Sequence, residues 1–117
     1  MKIYKKINVY DQALNRVRFL FEEFDNVVVG FSGGKDSTVV LNLALQIAEE
    51  QNRLPLKVMF IDQEAEWQNV IDYMHTIMED ERVDPMWMQI PFKIFNSTSN
   101  KNQWITALEH GEEHMRP

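Results

Sequence analysis

Cysteine is absent from all 117 residues. That excludes a disulfide framework, a thiolate zinc site and an iron–sulfur cluster on cysteine ligands. Positive charge is also scarce: 12 Lys and Arg stand against 18 Asp and Glu, a net charge of −6. A sequence-independent nucleic-acid binder needs a basic face to displace counterions, so direct nucleic-acid binding is not expected. No stretch approaches the ~20 consecutive apolar residues that span a bilayer. The basic start Met1-Lys2-Ile3-Tyr4-Lys5-Lys6 has no long apolar segment behind it, unlike a signal peptide, and a cytoplasmic location is expected. What the chain does have is a 44% hydrophobic fraction with three Trp, enough for the core of one packed domain. Glycine is sparse, with four in the chain, and three of them fall in residues 30–34.

That glycine cluster is the most informative stretch. Residues 30–37 read Gly30-Phe31-Ser32-Gly33-Gly34-Lys35-Asp36-Ser37, directly after the apolar run Val27-Val28-Val29. A strand, a Gly-rich turn and an apolar helix in succession form a cradle for phosphate. Glycines let the backbone approach a ligand closely, and the first N–H groups of the helix lack intrahelical partners. Ser32, Lys35 and Ser37 add side-chain donors. The spacing is not G-x-x-x-x-G-K-[ST]: five residues after Gly30 comes Lys35, and Asp36 stands where a Ser or Thr would follow the lysine. A mononucleotide kinase or GTPase loop is thereby excluded.

The segment Ser32-Gly33-Gly34-Lys35-Asp36-Ser37 matches S-G-G-x-D-S, and the chain around it resembles the adenine-nucleotide α-hydrolase (PP-loop) superfamily. Within it, Phe24-Asp25-Asn26-Val27-Val28-Val29-Gly30-Phe31 leading into the loop is similar to the phosphoadenosine phosphosulfate (PAPS) reductase and ATP sulfurylase small-subunit branch. A second block, Leu56-Lys57-Val58-Met59-Phe60-Ile61-Asp62-Gln63-Glu64-Ala65-Glu66-Trp67, supports this and most resembles IbrA-like proteins. The resemblance covers roughly residues 8–92. It implies a Rossmann-like parallel sheet sandwiched by helices, a substrate of ATP or PAPS, and cleavage at the α-phosphate or its attached sulfate. It also implies a Mg²⁺ ion and a C-terminal cysteine for reduction, and this chain holds no cysteine. The IbrA likeness implies a ParB-like partner. A homo-oligomer and a non-catalytic nucleotide-binding module are the alternatives, as is a subunit of a sulfur-transfer system for DNA or RNA modification.

Patterning alone gives an α-β-α-β-α-β order. Asn8 or Asp11 is placed to cap a first helix carrying Leu14, Val17, Leu20, Phe21 and Phe24, which would cover one face of the sheet. Residues 26–31 read as a strand buried on both faces, 37–51 as a deeply packed helix, and 56–61 as a second strand. Trp67, Val70, Ile71, Met74, Ile77 and Met78 form one apolar stripe, with Glu64 and Glu66 in the first turn of that helix. Residues 86–90 read as a third strand, 96–102 as loop and 102–109 as a short helix bearing Trp104, Ile105 and Leu108. Residues 1–92 are read as the nucleotide-binding unit and 93–117 as the start of a further part, so that the chain supplies the first half of a larger fold. Alternation of this kind implies right-handed crossovers, with ligand at the strand C-terminal ends, where Ser32 and Asp62 fall.

Each candidate residue has a plainer competing role. By the resemblance, Ser32, Gly33, Gly34, Lys35, Asp36 and Ser37 bind phosphate, and Lys35 and Asp36 act in catalysis. Lys35 competes as a surface cation and Asp36 as a helix cap. Asp36, Asp62 and Glu64 are the candidate Mg²⁺ ligands, Asp62 also counting toward the nucleotide site; ordinary acidic residues of a strand-to-helix turn are the alternative. Phe31, with Phe60 and Ile61, is a candidate wall for adenine, against simple core packing. Trp67 is read as the anchor of its stripe. His110 and His114 in His-Gly-Glu-Glu-His lack the H-E-x-x-H order of zinc proteases, and Gly111 weakens any helix there. His75 is read as exposed, Met86-Trp87-Met88 as a buried strand, and the sequon Asn96-Ser97-Thr98 as accidental.

Overall fold

The computed structural model describes residues 1–114. Helix α1 (Val9–Glu23) begins at Asn8, whose side chain accepts from the Asp11 N–H at 2.8 Å while its amide donates to the Asp11 carboxylate at 2.8 Å. Asn8 is thus the cap, and Asp11 supports it. Leu14 and Phe21 turn inward, whereas Leu20 and Phe24 of the expected stripe face solvent. The helix packs on α2 (Lys35–Glu50), tied by a two-pronged Arg18–Glu50 pair and by the Tyr10 hydroxyl donating to Gln46 at 2.7 Å. Arg53 closes its far end, donating to the carbonyls of Phe21, Phe24 and Asp25 with its guanidinium over the Phe21 ring.

Strands β1 (Val28–Gly30), β2 (Leu56–Ile61) and β3 (Val83–Met88) form a parallel sheet in the order β1-β2-β3. The crossovers run through α2 and α3 (Gln68–Met78). Two right-handed crossovers stepping the same way place both helices on one face of the sheet. Burial agrees with that placement. Val29, Leu56, Val58, Phe60 and Val83 join the helices in one core, with Ile47, Ala48 and Met74 fully enclosed. On the opposite face Val28 is 46% exposed and Ile61 47%. The expectation that β1 is buried on both faces therefore fails: it is a three-residue edge strand with one side open. The α/β parallel architecture flanked by helices is as expected.

Three further boundaries differ from the sequence reading. β3 starts at Val83 and takes in Pro85, which an edge strand tolerates because one row of its N–H groups has no partner strand. Its Met86 is 37% exposed, so this strand is only partly buried. α3 starts at Gln68 after Trp67, which is 79% exposed and anchors nothing; Glu64 and Glu66 lie in the preceding loop instead of the first turn. The expected helix over 102–109 is strand β5 (Trp104–Ala107), antiparallel to β4 (Phe92–Phe95), with Phe95 opposite Trp104 at 5.6 Å between ring centroids. Between them the Asn96 side chain accepts from the Thr98 N–H and hydroxyl, so the sequon sits in an Asx turn. Among the described residues no helix is long and apolar enough to cross a membrane.

Candidate functional site

The parallel sheet brings the C-terminal ends of its strands to one edge, and the loop 31–34 leaves that edge from β1. Phe31 continues the ladder, its N–H donating to Met59 O at 2.9 Å, with its ring buried edge-on against Tyr73 at 5.8 Å. The chain then reverses through Gly33 at φ +80°, where any L side chain is strained. A Cβ there would also stand 3.0 Å from Val70 Cγ1, so the turn lies directly on α3. Gly34 is the N-cap of α2 and no side chain bonds its cap position, which removes the capping role considered for Asp36.

Serine hydroxyls hold the turn together. Ser32 Oγ lies 3.0 Å from Ser37 Oγ, and Ser37 Oγ donates to Gly34 O at 3.1 Å. The Thr38 hydroxyl donates to the same carbonyl at 2.7 Å, alongside the Thr38 N–H at 3.0 Å. A peptide's C=O and N–H point in opposite directions. Fixing Gly34 O toward the helix therefore aims the Lys35 N–H out of it, beside those of Asp36 and Ser37, which no preceding turn can satisfy. Lys35 and Asp36 are exposed at this mouth. Ser32, Gly33, Gly34, Lys35, Asp36 and Ser37 are thus brought together as one compact turn.

Beside the turn lies a cleft of about 260 Å³ between β1 and β2, lined by Phe31, Ser32, Met59, Phe60 and Ile61, with Gln63 and Glu66 at its polar rim. Phe31 and Phe60 serve both as core residues and as its floor. Of these walls, Met59 and Gln63 were not singled out from sequence, and Glu66 only as a first-turn acid of the next helix. Their signal was position alone: Met59 lies in the second half of β2, and Gln63 and Glu66 follow the strand end marked by Asp62.

Asp62, between the lining residues Ile61 and Gln63, turns its carboxylate inward. It is fully buried, accepting from Trp87 Nε1 at 2.9 Å, Gln89 Nε2 at 3.1 Å and the Glu64 N–H at 2.8 Å. Glu64, at φ +67°, accepts the Leu108 N–H at 2.7 Å and so moors the β4–β5 hairpin. Both carboxylates are engaged in holding loops to one another. Among the described residues no group of three or more His, Asp or Glu is placed to hold a metal ion, so Asp36, Asp62 and Glu64 do not form a protein cage for Mg²⁺. The donor set fits such an ion only where nucleotide oxygens supply most of the ligands, with exposed Asp36 as the carboxylate beside them. Nor do His110 and His114 make a centre: His114 Nε2 lies 3.1 Å from Glu109 O.

Residues 26–116 match the phosphoadenosine phosphosulfate reductase domain family. The chain is 32% identical over 105 residues to the uncharacterized protein YbdN of Escherichia coli K12, covering 85% of this chain and 26% of that one. It is 43% identical over 60 residues to sulfate adenylyltransferase subunit 2 of Mycobacterium bovis, covering 51% of this chain and 19% of the other. To the protein of that name from a Sulfurovum species it is 24% identical over 102 residues, covering 87% and 31%. It therefore spans about a fifth to a third of the length of these relatives. No solved structure gives a significant match. With a glycine-rich strand–turn–helix at the C-terminal edge of a parallel α/β sheet, and that match across most of its length, the chain belongs to the phosphoadenosine phosphosulfate reductase domain family.

Proposed function

We propose that this chain is an adenine-nucleotide-binding PP-loop module of sulfur metabolism, taking ATP or PAPS. The observation that carries the reading is the turn at residues 32–37, with its aimed N–H groups adjoining a cleft of about 260 Å³. Adenosine occupies the cleft, its base against Phe31, Met59 and Phe60. The phosphates lie on the N–H groups that open α2, with Ser32 and Ser37 beside them. In an ATP reaction an acceptor oxygen bonds to the α-phosphorus as the bond to the bridging oxygen breaks, and pyrophosphate leaves with the electron pair. Lys35 and the fixed N–H groups offset the charge that grows on that leaving group, with little reorganisation as it forms. A bound Mg²⁺ would polarise phosphoryl oxygens. Asp36, at the mouth of the turn, orients what binds there.

The absence of cysteine from the 117 residues favours a second reading, a nucleotide-binding module that works with another chain. Sulfur carried as a thiol or persulfide then sits outside these 117 residues. Two of the relatives are named as a subunit, which supports the existence of a partner chain.

Thermal unfolding with ATP, AMP and PAPS tests the binding reading. A ligand at a hundred times its Kd stabilises the folded state by about 2.7 kcal/mol, so at least one nucleotide should raise the melting temperature by several degrees. No shift with any of the three overturns it. Pyrophosphate release from ATP, compared between the wild type and Asp36→Ala, separates a catalyst from a binder.

A further inference from the structure

The contacts beneath the phosphate turn come from one side of α3. We propose that Tyr73 is a positioning residue for the phosphate turn, acting through Thr38 to fix the peptide that presents the Lys35 N–H; the inference rests on the nucleotide-binding reading above. The Tyr73 hydroxyl lies 3.3 Å from Thr38 Oγ1, and Thr38 Oγ1 lies 2.7 Å from Gly34 O. Thr38 has a single hydroxyl proton, and the carbonyl can only accept, so that proton goes to Gly34 O. Tyr73 must then be the donor to Thr38. The result is a directed relay from the Tyr73 O–H through the Thr38 O–H to the Gly34 carbonyl. That carbonyl also receives the Ser37 hydroxyl at 3.1 Å and the Thr38 N–H at 3.0 Å. Three donors on one oxygen hold the Gly34–Lys35 peptide in a single orientation, and that orientation decides whether the Lys35 N–H faces a bound anion.

The Tyr73 ring is held independently of its hydroxyl. It meets Phe31 edge-on at 5.8 Å and 66°. Val70 and Met74, three residues before and one after Tyr73, would stand 3.0 and 3.7 Å from a Cβ on Gly33. The same side of α3 therefore supports the turn at Gly33 by packing and at Gly34 by hydrogen bonding. α3 is also continuous with the loop that carries Gln63 and Glu66, the polar rim of the nucleoside cleft. Through this helix the cleft and the turn share one rigid support. Removing only the Tyr73 hydroxyl leaves the packing intact and loosens the peptide, so the loss falls on the polyphosphate end of the ligand.

Isothermal titration of ATP and AMP into the wild type, Tyr73→Phe, Thr38→Val and Thr38→Ser tests this. One hydrogen bond in the relay corresponds to about three- to tenfold in affinity. Tyr73→Phe and Thr38→Val should each weaken ATP by that factor and leave AMP within about twofold. Thr38→Ser, which keeps the hydroxyl, should retain ATP affinity. The double variant should bind ATP no worse than the weaker single, because both act on one relay. Equal weakening of ATP and AMP, or unchanged ATP binding by Tyr73→Phe with an unchanged melting temperature, overturns the positioning role. A wild type that binds neither nucleotide brings down the nucleotide-binding reading itself, whereas binding that the variants do not alter brings down only the relay. Should Thr38→Val fail to fold, Tyr73→Phe and Thr38→Ser decide the matter.

Discussion

Asp62 is fully buried, and a carboxyl group survives there only with its oxygens met by donors. The indole N–H of Trp87, the amide of Gln89 and the Glu64 backbone N–H supply them at 2.9, 3.1 and 2.8 Å. The residue thereby joins the end of β2 to the end of β3 and shapes the loop leading into α3. Deleting the carboxylate strands at least these three donors in a buried site, each costing about 1–3 kcal/mol less whatever water recovers. Asp62→Ala is expected to lose about 2–4 kcal/mol in urea unfolding and to red-shift the fluorescence as Trp87 loses its partner. Asp62→Asn keeps one acceptor oxygen and should lose less. If the alanine variant is as stable as the wild type, the carboxylate does not hold these loops.

At the level of elements, the turn from α3 into β3 is fixed by Asp80 and Arg82. Asp80 accepts from the Arg82 N–H at 2.9 Å and pairs with its guanidinium at 2.8 Å. The Arg82 side-chain bonds, followed by that backbone bond, hold the Asp80 carboxyl at about 2, below its ordinary value of about 3.9. A carboxyl depressed by folding stabilises the native state above the unfolded pKa and ceases to do so once both states are protonated. Asp80→Asn should therefore be less stable than the wild type at neutral pH, with the gap closing as pH falls from about 4 to about 2. Urea midpoints across that range measure it. The pair is partly exposed, so the gap itself is small. A gap that stays constant through the range would show that the turn draws nothing from the ion pair.

The elements readable in the sequence were those where local pattern and tertiary setting agree. β2 falls where its apolar run predicts, α1 follows its Asn8 cap, and the glycine-rich turn stands between β1 and α2. The stripe of α3 located that helix but misplaced Trp67, because periodicity assigns a face without marking where the helix starts. Trp104, Ile105 and Leu108 fit a helical spacing over a span too short to separate it from a strand. The aromatic Trp104 and the β-branched Ile105 and Thr106 favoured a strand once β4 offered an edge. Tyr73 borders the stripe, and only the approach of α3 to the turn gives its hydroxyl a partner. Asp62 was marked by its place at a strand end, but its partners Trp87 and Gln89 lie 25 and 27 residues away and no local signal links them.

Across the whole molecule, shape and surface point the same way. The Cα radius of gyration is 18.0 Å, against about 13 Å for a compact domain of roughly this length. The β4–β5 hairpin packs chiefly on itself, and Ala107 and Leu108 are buried apart from the main core. The three-stranded sheet leaves the face opposite its helices open, where Val28, Ile61 and Met86 are 46, 47 and 37% exposed. Exposed apolar surface binds amphiphilic dyes, and here Lys57 and Asp84, in register with Val28, interrupt it without covering it. The natively folded chain should therefore enhance ANS fluorescence while keeping a cooperative melt, which distinguishes an open native face from a molten state. Val28→Thr with Met86→Lys should cut that enhancement by about half. The melting temperature should stay nearly unchanged, as expected of substitutions at exposed positions. If the wild type leaves the dye dark, or the double variant leaves its fluorescence untouched, this face of the sheet is covered in solution.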